Sequence, residues 1–174
     1  LLGLSGLGLF AGGLAVGVLA PPATWIGWAV LVGVQFSCML VAYTILHDAT
    51  HRSASRRHVL NELMLASAGA VFLADGFLFR RIHLIHHAHT HQSGDPDRFA
   101  SAKTLQGRLA RSALITVGYY HFAARRLWDS PKWRRHLLCS PLFAAVAVTG
   151  FAHCGHLDIF VILWVIPLLL AQAV

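Results

Sequence analysis

No Asp, Glu, Lys, Arg or His occurs in the first 46 residues of this chain, and no Lys or Arg follows Arg135. Apolar arms this free of charge leave few folds open. Residues 1–20 are Gly-rich and long enough to cross about 30 Å of hydrocarbon as a helix. Pro21-Pro22-Ala-Thr24 breaks that run. Residues 25–46 form a second one, with Trp25 and Trp28 placed for an interfacial aromatic belt. Residues 1–46 therefore read as a helical hairpin that returns the chain to its starting side. Residues 137–152 and 157–174 read as a second hairpin, within 136–174, turning at His153-Cys-Gly-His156. Charged residues are only 12% of the 174, where soluble domains carry about a quarter. The expected fold is an all-α integral membrane protein of about four spans, in one domain covering 1–174.

The middle segment, 47–135, is different. All 14 Lys and Arg lie between Arg52 and Arg135, and the net charge is +7. A basic block between two apolar arms follows the positive-inside rule, which places this segment on the cytoplasmic side and argues against a nucleic-acid partner. Residues 63–79 are apolar but at the short limit for a span. Arg56-Arg57 precede them and Arg80-Arg81 follow, so both ends are expected on one side, with the stretch dipping into the interface or packing beside the other helices. Residues 109–128 mix basic and aromatic residues, as an amphipathic helix does on a membrane surface or on the protein's own soluble part. Cys38, Cys139 and Cys154 show no C-x-x-C spacing, so neither a disulfide framework nor a zinc knuckle is expected.

Within this block the sequence HLIHHAHTHQSGDPD, residues 83–97, puts five histidines into nine residues and follows them with two aspartates. Just upstream, His47-Asp-Ala-Thr-His51 is an H-x-x-x-H. Residues four apart lie on one face of a helix, so these two imidazoles can share one ion. At 100° per residue, His86 and His87 fall about 60° to one side and 40° to the other of His83. Three rings thus converge within a turn, and the adjacent pair can diverge toward two ions. Ordinary core histidines account for one or two such residues, hardly for five in two short motifs. Imidazole suits Zn, Cu, Fe and Ni. A zinc hydrolase helix would carry H-E-x-x-H with Glu as general base; here that position is Asp48. The count of ligands also exceeds the three a catalytic zinc takes, which points to two metals.

His47-Asp-Ala-Thr-His51, then after 31 residues His83-Leu-Ile-His86-His87, then Asp95-Pro-Asp97, resembles the membrane fatty acid desaturase superfamily, which also contains carotenoid ketolases and hydroxylases. The resemblance covers the whole chain in layout and is residue-specific over roughly 47–97. It implies a non-haem centre of two iron ions, with His47 and His51 as ligands from the first histidine box and His83, His86 and His87 from the second. It also implies O2 as co-substrate, a lipid or fatty acyl substrate, and an external electron donor of ferredoxin or cytochrome type. The third box of the family, (H/Q)-x-x-H-H, is absent from the 174 residues, and the chain is expected to be a fragment that stops before it. Asp95 or Asp97 could orient a ligand imidazole or simply shape the Gly94-Asp95-Pro96 turn. His89 and His91 are candidates for a supporting role only. His58, His121 and His136 read as ordinary, and His153 and His156 fall on the opposite side of the membrane.

These features predict an O2-dependent fatty acyl desaturase. The rivals are a ketolase or hydroxylase of the same superfamily, a histidine-rich membrane metal-binding or transport protein, and a helical scaffold with incidental histidines.

Overall fold

The computed structural model describes residues 2–173, with side chains from residue 6 onward. Leu1 and Val174, the outer ends of the two terminal apolar runs, lie outside the described residues. Helix α1 (Leu2–Leu19) ends before the two prolines. Thr24 then caps α2 (Trp25–Thr50), its hydroxyl oxygen accepting the Gly27 N–H at 3.2 Å. Although α2 is apolar all round, it buries one stripe: Gln35, Cys38, Met39, Ala42, Ile45, Leu46 and Ala49. That is the 3.6-residue repeat, and it leaves Val30, Val34 and Val41 exposed as a lipid-facing side would be. Gln35 is fully buried, and its amide donates to the Phe10 carbonyl of α1 at 3.1 Å. One such polar link between membrane helices contributes only about 0.6 kcal/mol, so side-chain packing carries most of the hairpin contact.

The helix does not stop at Leu46. It runs on through His47 to Thr50, which puts both histidines of the first motif at its C-terminal end. Arg52, with φ 60°, then turns the chain away. Helix α3 (His58–Val71) and helix α4 (Gly76–His89) are two limbs of the short apolar stretch, bent by 94° across the break between them. Gly76 permits the bend: a Cβ there would run into the Leu65 carbonyl. Asp75 starts α4 by accepting the Leu78 N–H at 2.8 Å.

A short 3-10 turn (Pro96–Ala100) leads to α5 (Leu105–Ala113) and α6 (Ile115–Arg126). The stretch expected as one amphipathic helix over 109–128 is therefore two, broken at Leu114. Helix α7 (Pro131–His153) is long and mostly exposed, and begins six residues before its apolar run. The last run folds as α8 (Leu157–Phe160), a π-helical turn (Val161–Val165) and α9 (Ile166–Ala173). It packs back on the first hairpin. The Trp164 indole N–H donates to the Val71 carbonyl at 2.8 Å, and its ring meets Phe10 edge-on at 5.2 Å.

The result is all-helical, with no strand among the described residues. Helices α2 and α7 are long and apolar enough to cross a membrane, or three spans if α3 and α4 count as one. The other two runs expected as spans are apolar helices of shorter described length, Gly6–Leu19 and Leu157–Ala173. One core joins α1, α2, α3 and the last run around Met39, Leu46 and Leu65. A smaller one joins α4, α6 and α7 around Leu78, Ile82, Ala123 and Leu137.

Candidate metal centre

The end of α2 meets the middle of α4, and four imidazoles meet there. His47 and His51 come from α2 and its C-cap, His83 and His87 from α4 one turn apart. One nitrogen from each lies within 4.8 Å of all the others. His83 is central: its Nε2 faces the Nε2 of His51 at 3.2 Å and that of His87 at 3.0 Å. His83 is buried, His47 half-buried, and His51 and His87 exposed, so the cluster has a closed floor and an open rim.

This arrangement does not satisfy itself. A neutral imidazole nitrogen either donates one hydrogen or accepts with one lone pair. The His83 Nε2 therefore cannot complete a hydrogen bond to both neighbours. Charging the His83 ring is no remedy, because burial, and then the neighbouring imidazoles, push its pKa down to about 4. His51 is lowered too, by burial first and then by His47 and His87. Several imidazole nitrogens held this close together are what a cation wants. Tetrahedral metal–imidazole bonds of about 2.0–2.1 Å put the nitrogens about 3.3 Å apart, close to the two spacings from the His83 Nε2, with the other nitrogens within 4.8 Å of one another. The donor set fits one metal ion.

The fifth histidine of the predicted set turns elsewhere. The His86 Nδ1 lies 2.8 Å from Asp95 Oδ1 and 3.4 Å from Asp97 Oδ2. Burial works against the Asp95 charge, but hydrogen bonds from His86 and from the His91 and Asp97 N–H groups outweigh it and hold the carboxyl below its usual range. The His91 N–H reaches Asp95 Oδ2 at 2.8 Å and the Asp97 N–H reaches Oδ1 at 2.9 Å. Asp95 thus does both jobs open to it in the sequence, shaping the turn and fixing a ring. An Nδ1–H held by a carboxylate leaves Nε2 with its lone pair, the tautomer that ligand histidines adopt. His86, Asp95 and Asp97 also bring donor atoms together as a second group. Both Asp95 oxygens, however, are already taken by these partners.

Two residues without a sequence signal complete the surroundings. Tyr119 of α6 donates to Asp97 Oδ1 at 2.7 Å, and burial together with that carboxylate raises its pKa, so it remains a phenol. Phe79 stacks on His83, ring centroids 5.5 Å apart and 14° from parallel. Phe79 also lines a cavity of about 380 Å3 between α2, α4, α6 and α9, with Leu46, Leu78, Ile82, Tyr119 and Asp97 among its walls. Phe79 is thus a partition between that cavity and the imidazoles.

His89 faces the Ile85 carbonyl, and His91 takes part only through its backbone N–H. His58 is exposed and 3.6 Å from Glu62. His136 pairs with Asp75 at 2.9 Å, tying α7 to the start of α4 away from the cluster. The histidines at the far end of α7 join neither donor group.

An all-helical chain with two helices fit to cross a membrane, and a four-imidazole cluster at the end of one of them, is a membrane protein with a candidate metal centre. The model of the fatty acid desaturase family matches residues 20–174, and the chain belongs to that family. Membership implies membrane association, a lipid substrate and an oxidoreductase ancestry, and desaturases typically use two irons. No match was found among curated proteins or among solved structures.

Proposed function

We propose that this chain is the core of an O2-dependent di-iron fatty acyl desaturase, with His47, His51, His83, His86 and His87 as iron ligands. The observation that carries this reading is the apolar cavity lying one aromatic ring away from the histidine cluster, in a chain of the desaturase family. Bound iron would supply the O2-driven oxidation of an unactivated methylene pair, chemistry that side chains lack.

The protein's own residues do the rest. His47, His51, His83 and His87 hold one ion. His86, oriented by Asp95, offers Nε2 to a second, whose further ligands would come from a third histidine box. Leu46, Leu78 and Ile82 exclude water and lodge an acyl chain. Phe79 limits how the chain approaches the cluster, and Tyr119 and Asp97 close the polar edge. The basic stretch of residues 98–135 serves a ferredoxin- or cytochrome-type donor, on the cytoplasmic side.

The test is lipid and pigment analysis of a host expressing the full reading frame. New unsaturated acyl chains, absent with His83→Ala, are expected. Oxidised carotenoids with unchanged acyl chains would move the reading to a ketolase or hydroxylase. Reversible metal loading without O2 uptake would move it to a metal carrier.

A further inference from the structure

The two arginines after the short apolar stretch look alike in the sequence, yet they do different things. Arg81 lies over the Trp133 ring at 5.9 Å. Arg80 turns inward, and its side chain is only 14% exposed. Its guanidinium grips Glu62 of α3 with two bonds, Nη1 to Oε2 at 2.8 Å and Nη2 to Oε1 at 3.0 Å. Nη2 also donates to the Ala49 carbonyl at 2.8 Å. Buried Asn61, from α3, donates to that same carbonyl at 2.8 Å.

The position of Ala49 gives this network its meaning. It lies between His47 and His51, in the last turn of α2, where carbonyls lack intrahelical partners and the helix dipole favours a cation. From the backbone beyond the helix, the Arg52 N–H also reaches this carbonyl, at 3.1 Å. Arg80 lies one turn before His83 on α4. A guanidinium fork locked by a carboxylate is a rigid spacer, unlike a flexible ammonium. One side chain therefore joins the helix end carrying the first histidine pair to the helix carrying the second.

We propose that Arg80, braced by Glu62 and sharing the Ala49 carbonyl with Asn61, is a positioning residue that sets the distance between the two histidine pairs and hence the affinity and geometry of the metal centre. This rests on reading the four-histidine cluster as that centre. Losing a partner that orients metal ligands costs about 10–100-fold in affinity; Arg80 touches no ligand ring, but it ties together the backbone that carries both ligand pairs.

The test is titration of the chain in detergent with Co2+, followed by the visible absorption of the bound ion and by circular dichroism. Arg80→Gln should raise the Co2+ Kd about 10–100-fold and change the band shape, with helical content kept. Arg80→Lys should recover part of the affinity, and Arg81→Gln should bind as the parent does. Glu62→Gln keeps side-chain size and should give a smaller shift in the same direction; it carries the test should Arg80→Gln fail to fold. A folded Arg80→Gln or Glu62→Gln protein with the parent's Kd and spectrum overturns the positioning role alone. A parent whose Co2+ signal is absent, or is untouched by His83→Ala, overturns the metal-centre reading and the positioning role with it.

Discussion

The two donor groups at this site are neighbours with opposite characters. In the first, four imidazoles face one another and too few hydrogens lie between them. In the second, one imidazole faces two carboxylates, and the carboxylate oxygens and the His86 Nδ1 all have partners, which leaves the His86 Nε2 lone pair free. The first lacks the hydrogens to satisfy itself; the second has its carboxylates satisfied and one ring held in place. A site of this kind thus separates binding the ion from holding a ligand still, and gives the two tasks to different residue chemistries.

If that division is right, substitutions should fall in a definite order. His83→Ala removes the central ring of the first group, and its loss of Co2+ affinity should exceed the roughly 100-fold that changes outside the ligand shell reach. Asp95→Asn takes the charge from the second group while leaving its size. Asp95 orients His86 and no ring of the first group, so Co2+ affinity there should shift by less than about tenfold, while the upset turn costs roughly 1–3 kcal/mol of stability in thermal unfolding. Were the two losses of affinity equal, the contrast between the groups would collapse. Tyr119→Phe removes only a donor to Asp97; roughly 0.5–1.5 kcal/mol of stability and a shift in Co2+ affinity below tenfold are expected. The smallest effect belongs to His91. Its φ of 64° is a left-handed conformation that costs a non-glycine residue about 1 kcal/mol. His91→Gly should match or slightly exceed the parent in melting temperature, and His91→Ala should not.

How much of this the sequence could reveal depends on where each signal resides. The first hairpin is written in charge-free runs broken by two prolines, and it is visible without coordinates. The divergence of His86 from His87 follows from 100° per residue and needs only that residues 83–87 be helical. Arg80 is a different matter. As one of a basic pair flanking an apolar stretch it reads as a marker of membrane topology, because its acceptor is a backbone carbonyl 31 residues away, which no side-chain pattern records. The break at Leu114 is hidden for a similar reason: neither Gly nor Pro announces it. Arg52, Leu73 and His91 all adopt positive φ just beyond the helices that build the site, where glycine is the usual signal. Asp95 could be assigned two roles from its position, and the structure shows that these were never alternatives.

The meeting of His51 with His83 has one more consequence. They are 32 positions apart, and the chain between them makes a full excursion through α3 and back along α4. An ion gripping both would act as a removable cross-link. By the loop-closure relation used for disulfides, such a tie withdraws roughly 3–4 kcal/mol of freedom from the unfolded chain. Unlike a disulfide, it can form only after α4 has been synthesised and folded back, and a chelator undoes it. Metal loading would then tie the end of α2 to α4 across the intervening excursion, and a chelator would release that tie without breaking a covalent bond of the chain.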